Sequence, residues 1–327
     1  MHRIMRALAQ PLLFTSLTLA VTAVHGAASG AESSPVGEPI MRTRVEPAPQ
    51  AERMAALALR LSPETEAVWL ETNSDRTLTL YYPAVQPEPH GALVLLPDEH
   101  RHPDWPTDLH PLRIGLAQHG WDTLAISLPQ APAPRVPPRT LFASASMAAS
   151  SAEPSPPDRP LDNGTPMETY GERVDKICEA ALRHLESRQR TYLILLGSGS
   201  GAAWAAQCAE RFQQGRDLGL VLLDARRSDT PGAPDLATLL PQLKMPVLDL
   251  YRPPLGGAEP GPEAQRRART ASRAALADYH QSPLPAWNPD GDWLLREVRG
   301  RIERYLMPPE PPKTTEPEAT ADQRPGG

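Results

Sequence analysis

The chain has 327 residues, of which 40% are hydrophobic, so it is long enough to bury one full-sized core and, by length alone, two. Its 33 basic and 39 acidic residues give a formal net charge of −6, and no long block of lysine or arginine occurs, which argues against nucleic acid as a partner. A small molecule, a lipid or an envelope protein remains open as the partner.

The first 26 residues have the pattern of a secretory signal peptide. Arg3 and Arg6 precede an apolar run over 11–24, and small residues follow as far as Ala28. The run is short for a membrane span, so we expect a cleaved signal, no stable membrane span after its removal, and a periplasmic protein. A proline-rich linker over 27–50 is expected to come next.

The middle of the chain has the pattern of one α/β domain over 51–307. Strands are predicted at 66–71, 76–82, 92–96, 122–128, 192–196, 218–223, 247–251 and 276–281. Helices are predicted at 51–61, 107–119, 168–188, 201–213, 233–243 and 292–307. Asn73-Ser74-Asp75 separates the first two strands and predicts a hairpin. The nearly continuous apolar strands indicate a mostly parallel, eight-stranded sheet with helices on both faces, a three-layer α/β sandwich.

Many of the 40 prolines are concentrated in segments outside these elements. A low-complexity insert over 130–165 follows the fourth strand at the carboxyl edge, where ligands of α/β sheets bind. It is either a lid or an unstructured loop with no role in binding, because its Ala, Ser and Pro residues bury little area. A disordered tail is predicted over 308–327.

The most informative motif is Gly197-Ser198-Gly199-Ser200-Gly201, which lies between a buried strand and a helix. A turn of this kind forms the nucleophile elbow Gly-x-Ser-x-Gly, whose central residue attacks the substrate. The central residue here is Gly199, which has no side chain to attack with. In a register shifted by one residue, Ser200 becomes the nucleophile, unless its hydroxyl only caps the helix.

Five groups of residues spread over about 66–306 form a wider pattern. They are Leu95-Leu96-Pro97 with His102-Pro103-Asp104-Trp105, Gly120-Trp121-Asp122-Thr123-Leu124 with Leu128-Pro129, Tyr170 with Arg173, Gly197-x-Gly199-x-Gly201-Ala202, and Val247-Leu248-Asp249-Leu250-Tyr251. In these groups the chain resembles the α/β-hydrolase superfamily and, within it, the proteobacterial domain-of-unknown-function family 3530 of secreted α/β-hydrolase-like proteins. The resemblance implies the fold and implies no activity.

Acyl transfer by such a fold needs a histidine, an acid and two oxyanion donors besides the nucleophile. The loop over 282–291, where the fold keeps its histidine, contains none, and His280 in the predicted last strand is the only candidate nearby. Asp249 and Asp224 are the candidates for the acid, although an aspartate at a strand end also forms turns. Pro97 has no N–H, so one familiar oxyanion donor is absent.

The remaining candidate groups are an acidic and histidine-rich segment and the two cysteines. The segment over 98–104 holds Asp98, Glu99, His100, His102 and Asp104, but its spacing matches no zinc motif, so we predict neither a metal nor a cofactor. Cys178 and Cys208 lie in the helices before and after the 197–201 turn. They are expected to form a disulfide in an oxidising compartment or to remain two buried thiols.

Because the nucleophile, the histidine and one oxyanion donor all depart from the working pattern, we predict a hydrolase-like protein that lacks the standard triad. It would bind a ligand or an envelope partner at Gly197, Ser198, Gly199, Ser200 and Gly201, whose backbone N–H groups begin a helix and suit an anion. The alternative is a serine esterase or lipase that uses Ser200 with His280 and either Asp249 or Asp224.

Overall fold

The computed structural model describes residues 48–72, 76–131, 168–254, 257, 259–285 and 291–307. The predicted signal peptide, the hairpin turn, nearly all of the proline-rich linker and of the 130–165 insert, and the tail from residue 308 lie outside the described residues. Within them, no helix is both long enough and apolar enough to cross a membrane.

A single eight-stranded sheet forms the centre of the fold, with the strand order β1-β2-β4-β3-β5-β6-β7-β8. The strands are β1 (Glu66–Glu71), β2 (Arg76–Tyr82), β3 (Gly91–Leu96), β4 (Trp121–Ile126), β5 (Tyr192–Ser198), β6 (Asp217–Leu223), β7 (Val247–Tyr251) and β8 (Tyr279–Pro283). β2 is antiparallel to β1 and to β4, and every other neighbouring pair is parallel. The predicted mostly parallel, eight-stranded sheet is confirmed.

Helices cover both faces of this sheet. They are α1 (Gln50–Ala58), α2 (Leu109–Gln118), α3 (Tyr170–Ser187), α4 (Gly201–Phe212), α5 (Leu236–Leu239), α6 (Pro262–Arg273) and α7 (Gly291–Tyr305). The hydrophobic cluster on one face takes its helical side chains from α3, α4 and α5, and the cluster on the other face takes them mainly from α2 and α7. The three layers are therefore those expected from the sequence.

The side chains of β5 point alternately to the two faces of the sheet, so this strand contributes to the hydrophobic clusters on both faces. Leu193 and Leu195 pack into the cluster with α3 and α4, whereas Ile194 and Leu196 pack into the cluster with α2 and α7. Each of these side chains is almost fully buried. At about 2 kcal/mol for each buried aliphatic side chain, such strands supply much of the driving force for folding.

The region after β7 departs from the sequence prediction. α6 was not predicted, and β8 spans Tyr279–Pro283 rather than 276–281. Ala264 and Ala271 are the only buried apolar residues of α6, whose third buried side chain is the charged Arg267. Apolar periodicity therefore gives almost no signal for this helix, although it packs on the sheet.

A disulfide between Cys178 and Cys208 joins α3 to α4, with a Cα–Cα distance of 6.3 Å. Both cysteines are fully buried in the cluster that covers this face of the sheet. The two residues are 30 positions apart, and β5 and the turn that follows it lie between them. The disulfide thus closes a loop around the segment that carries the hydrolase-like motif.

Candidate functional site

The turn over 197–201, called the elbow below, lies at the carboxyl edge of the sheet between β5 and α4. Gly199 has φ +59°, the left-handed region in which a side chain is strained. Its N–H donates to the Leu223 carbonyl at 3.0 Å, and its carbonyl accepts from the Arg226 N–H at 3.0 Å. A sharp turn of this kind between strand and helix is the geometry of a nucleophile elbow, with Gly199 in the central position.

The outer two glycines of the elbow are required by close backbone contacts. A Cβ atom on Gly201 would lie 2.0 Å from the carbonyl oxygen of Pro97, which directly follows β3. A Cβ atom on Gly197 would lie 2.5 Å from the Cα atom of Ala202. Backbone atoms cannot move aside as a flexible side chain can, so the glycines fix how tightly β3, β5 and α4 meet.

An ion pair occupies the space above Gly199. Arg226 Nη2 donates to Asp98 Oδ2 at 2.6 Å, and the Asp98 side chain is only 13% exposed. A Cβ atom on Gly199 would lie 2.5 Å from Asp98 Oδ2 and 2.8 Å from Arg226 Nη2. The position that a nucleophilic side chain would take is therefore filled by two other side chains.

The hydroxyl of Ser200 both donates and accepts a hydrogen bond. It donates to Asp98 Oδ1 at 3.1 Å and accepts from the Glu99 N–H at 3.1 Å. Ser200 directly precedes α4, but its side chain makes no capping hydrogen bond, so the cap considered from the sequence is not formed. Ser198 Oγ donates to Asp108 Oδ2 at 2.5 Å, so both serines of the elbow are bonded to carboxylates.

The elbow also offers fewer donors to an anion than its sequence indicates. We expected the N–H groups of Gly199, Ser200 and Gly201 to be available, but the Gly199 N–H is bonded to β6. The Glu99 N–H, which follows β3 where the fold takes an oxyanion donor, is bonded to Ser200. Some of the N–H groups that could bind an oxyanion are thus already hydrogen-bonded within the protein.

Glu99 attaches the loop after β3 to α4 and to the segment after β6. Its Oε1 accepts from Trp204 Nε1 at 2.6 Å and from Ser228 Oγ at 2.5 Å. The Tyr170 ring packs on Trp204 with centroids 5.0 Å apart. Burial, and secondly the Glu99 charge, raises the pKa of Tyr170 well above its usual value. This hydroxyl is therefore not a base at neutral pH.

His280 lies away from the elbow. It is in β8, three strands from β5, a separation of about 14 Å at normal strand spacing. Its ring stacks on Tyr305 of α7 with centroids 4.3 Å apart. The neighbouring residues Tyr279 and Gln281 hydrogen-bond to Asp249, so by strand alternation His280 points to the opposite face of the sheet. The structure does not bring Ser200, His280 and Asp249 together.

Asp249 lies in a buried ion pair within the sheet. It is fully buried, and its two oxygens accept from Arg267 Nε at 2.7 Å and Nη2 at 3.0 Å. Tyr279 donates its hydroxyl to the same carboxylate at 2.6 Å, and Gln281 donates its side-chain amide at 3.0 Å. Burial, followed by the Asp249 charge, raises the pKa of Tyr279, so the phenol keeps its proton. This carboxylate is satisfied by structural contacts.

Asp224 is the candidate acid that lies nearest the elbow in the sheet. It follows β6 with φ +48°, and its N–H donates to the Leu250 carbonyl at 2.7 Å. Its side chain forms a half-exposed ion pair with Arg252 at 3.4 Å. The strained turn places Asp224 at the carboxyl edge, where its side chain pairs with an arginine and not with a histidine.

The acidic and histidine-rich segment after β3 is divided among separate contacts. Asp98 and Glu99 face the elbow, whereas Asp104 accepts from Arg113 at 2.6 Å and contacts His110 at 2.9 Å. Across the ranges that the structure describes, no three His, Cys, Asp or Glu side chains are grouped so that they would hold a metal ion.

Arg226, Trp204 and Ser228 also belong to the site, and none of them was predicted from the sequence. Arg226 and Ser228 follow β6, and Asp98 follows β3, so their strands lie on either side of β5. The signal in the sequence was the position of charged residues just after two predicted parallel strands, whose carboxyl ends share one edge of the sheet.

Substitution of Gly199 by serine is expected to give no esterase activity. The left-handed backbone would cost about 1–2 kcal/mol of stability, the Asp98–Arg226 ion pair would have to move to admit the hydroxyl, and His280 lies three strands away. Hydrolysis of p-nitrophenyl butyrate measures the esterase activity, and the urea midpoint measures the loss of stability. Turnover by the Gly199→Ser protein above the Gly199→Ala background would contradict this expectation.

The Asp104–Arg113 ion pair is expected to contribute to the loss of folding stability at low pH. Burial alone would raise the pKa of Asp104, but the hydrogen bond and charge of the buried Arg113, with a smaller contribution from His110, lower it. A lowered folded-state pKa stabilises the fold above the unfolded value of about 3.9, and this stabilisation is lost as pH falls through the folded pKa.

Asp104→Asn should therefore cost about 2 kcal/mol of unfolding free energy at neutral pH, because Arg113 loses a charged partner. The difference from the unsubstituted protein should be constant above pH 5 and shrink below about pH 4. Urea unfolding at several pH values measures it, with the exposed Asp229→Asn as control. A difference that stays constant down to pH 2 would argue against the ion pair.

A cavity of about 580 Å³ lies beside the elbow and is called the α1 cavity below. Its wall is formed by one side of α1, by the 99–105 segment and by the 127–131 segment after β4. Glu99 belongs both to this wall and to the network that holds α4. The cavity thus shares a residue with the elbow region but is a separate space.

Solved structures with the same fold include known hydrolases. An esterase of Pyrococcus furiosus matches with a TM-score of 0.51 at 10% identity, over 80% of this chain and 96% of the esterase chain. A dienelactone hydrolase of Anabaena variabilis matches with a TM-score of 0.46 at 16% identity, over 75% of this chain and 97% of its own. At such identities the likeness concerns the fold alone.

No curated protein sequence matches the chain significantly. The match that extends over most of its length is to a family model described as a protein of unknown function, DUF3530, which covers residues 9–304. With the hydrolase-type sheet and the glycine-centred elbow in place, the chain belongs to the DUF3530 family.

Proposed function

We propose that this protein acts by binding a small molecule, a lipid or an envelope protein, and that it is a pseudoenzyme of the α/β-hydrolase fold. The observation that carries the proposal is the elbow itself. Gly199 holds the left-handed central position, and the Asp98–Arg226 ion pair fills the space of the absent nucleophile. A catalytic elbow must instead leave its nucleophile open to substrate.

The surroundings of the two elbow serines support the same proposal. General-base catalysis requires a base within hydrogen-bond reach of the nucleophile. Ser200 and Ser198 donate to the carboxylates of Asp98 and Asp108, and His280 lies in β8, three strands from β5, where it stacks on Tyr305. A serine bonded to an aspartate that is itself paired with arginine has no strong base to accept its proton.

We also propose that the protein is exported to the periplasm. The signal-like first 26 residues motivate this, and the Cys178–Cys208 disulfide is in keeping with an oxidising compartment. Expression of the full chain in a Gram-negative host, followed by osmotic-shock fractionation and N-terminal sequencing, tests it. A full-length protein retained in the cytoplasm would contradict export.

Labelling with a fluorophosphonate probe tests the absence of catalysis. We expect no covalent adduct on the purified protein by intact mass, while an active serine esterase in the same tube is labelled. Ser200→Ala and Ser198→Ala provide the controls. An adduct that disappears in Ser200→Ala, or turnover of p-nitrophenyl butyrate lost in the same variant, would refute the proposal in favour of a serine hydrolase.

A further inference from the structure

The α1 cavity has the size of a small-molecule site. Its volume of about 580 Å³ falls within the range of ~300–1,000 Å³ that is usual for ligand pockets. None of the elbow residues 197–201 lines it. A ligand held here would therefore not need the elbow for its recognition.

Two of the three arginines in the cavity wall carry charge that the rest of the described structure does not neutralise. Arg53 and Arg60 line it, and neither has an acidic partner among the described residues. Arg101 also lines it and pairs with Asp108 at 3.2 Å. The one carboxylate in the wall, Glu99, already accepts two hydrogen bonds. The balance of charge around the cavity favours an anion.

His102 does not contribute to the positive charge of the cavity. Burial lowers the pKa of His102, although the Asp104 charge opposes the effect, so its imidazole is neutral at neutral pH. An Asp104 backbone N–H donates to His102 Nδ1 at 3.2 Å, which also requires an unprotonated nitrogen. The arginines of the cavity keep their positive charge at every physiological pH.

Apolar side chains also contribute to the wall of the cavity. Met54 and Leu57 lie on the same face of α1 as Gln50 and Arg53, at the i, i+3, i+4, i+7 spacing of one helical side, and Arg60 lies in the turn that follows α1. Both apolar residues are half-buried against the sheet, and Trp105 and Ala131 also line the cavity. α1 and the turn that follows it thus place two arginines beside two apolar side chains.

We propose that the α1 cavity binds a single-chain anionic amphiphile, with its carboxylate or phosphate on Arg53 and Arg60 and its alkyl chain along Met54, Leu57 and Trp105. The inference rests on the proposed binding function and names its site and ligand class. Guanidinium groups bind both headgroups through charge-assisted hydrogen bonds, so the chemistry is shared by fatty acids and by phosphorylated lipids.

Fluorescence titration of the full chain tests the proposal, because Trp105 lies in the wall. Dodecanoate and dodecyl phosphate, below their micelle concentrations, represent the two sources of the headgroup. Dodecanol and dodecyltrimethylammonium have similar chains without the negative charge, and acetate and inorganic phosphate have the charge without the chain. We expect at least one of the two anionic amphiphiles to bind, and the four comparison compounds to bind at least about tenfold more weakly.

Arg53→Gln combined with Arg60→Gln should weaken binding of the anionic amphiphile by about tenfold or more. Arg269→Gln with Arg273→Gln is the matched control, since it removes the same charge from α6 and neither residue lines the cavity. The control should bind as the unsubstituted protein does. Circular dichroism of each double variant checks that it is folded.

Each outcome decides the inference. No binding by either anionic amphiphile, equal binding of dodecanol, or an unchanged affinity after Arg53→Gln/Arg60→Gln would overturn it. The titration uses the full chain. If the protein's own residues occupied the cavity, the titration would show no binding. Fluorophosphonate labelling of the same sample separates the two proposals, because an adduct lost in Ser200→Ala refutes the binding function, whereas absent binding without labelling refutes only this site.

Discussion

Replacement of Arg267 by leucine is expected to lower the free energy of unfolding by about 3–5 kcal/mol. The guanidinium is 3% exposed and makes two hydrogen bonds to Asp249, which is fully buried in β7. Its removal leaves a carboxylate in the interior with only the neutral donors of Tyr279 and Gln281. Urea unfolding followed by circular dichroism measures the loss.

Two further variants identify the cause of that loss. Arg266→Leu on the same helix breaks a half-exposed pair with Asp235, and its effect should stay below about 1 kcal/mol. Arg267→Leu combined with Asp249→Asn should recover part of the stability, because the amide carries no charge and keeps an acceptor for Tyr279. A double variant as unstable as Arg267→Leu alone would show that lost packing, not the unpaired charge, is responsible.

Removal of the disulfide by Cys178→Ser and Cys208→Ser should cost about 3 kcal/mol. The cross-link closes a loop between residues 30 apart, and its absence gives the unfolded chain more conformations. For a chain of this size, the loss corresponds to a fall in Tm of about 6–12 °C. Thermal unfolding of the two proteins under the same conditions measures it.

Chemical reduction provides the control for the serine substitutions. A reductant should lower the Tm of the unsubstituted protein toward that of the double serine variant and leave the variant unchanged. Equal Tm values for the oxidised and reduced protein would mean that the cross-link adds nothing to stability. A variant that melts below the reduced protein would point to poor packing of serine hydroxyls in the buried site.

The central sheet could be predicted because its strands are buried on both faces. β3, β5 and β6 are short, nearly continuous apolar runs bounded by turn residues, and such runs have few alternatives in an α/β chain. The edge after β7 could not be predicted as well. α6 buries an arginine against a sheet aspartate, and β8 contains mostly polar or half-buried residues, so neither has the apolar period that sequence reasoning detects.

The candidate site was predictable in its backbone and not in its side chains. The spacing of Gly197, Gly199 and Gly201 predicted the elbow, because close approach of strand and helix demands glycine at set positions. Asp98 and Arg226 are 128 residues apart, and their pairing depends on strand order and rotamers that no local pattern encodes. The same holds for His280, whose face of the sheet depends on the exact register of β8.

The Asp98 carboxylate competes with any external anion for the hydrogen-bond donors at the elbow. In a working hydrolase, negative charge arises at this place only while the reaction proceeds, and the donors around it wait unoccupied. Here a carboxylate tethered to β3 already accepts from Ser200 and Arg226. Any external anion at the elbow must displace a group held at high effective concentration. Binding of an external anion at the elbow is therefore opposed by this carboxylate.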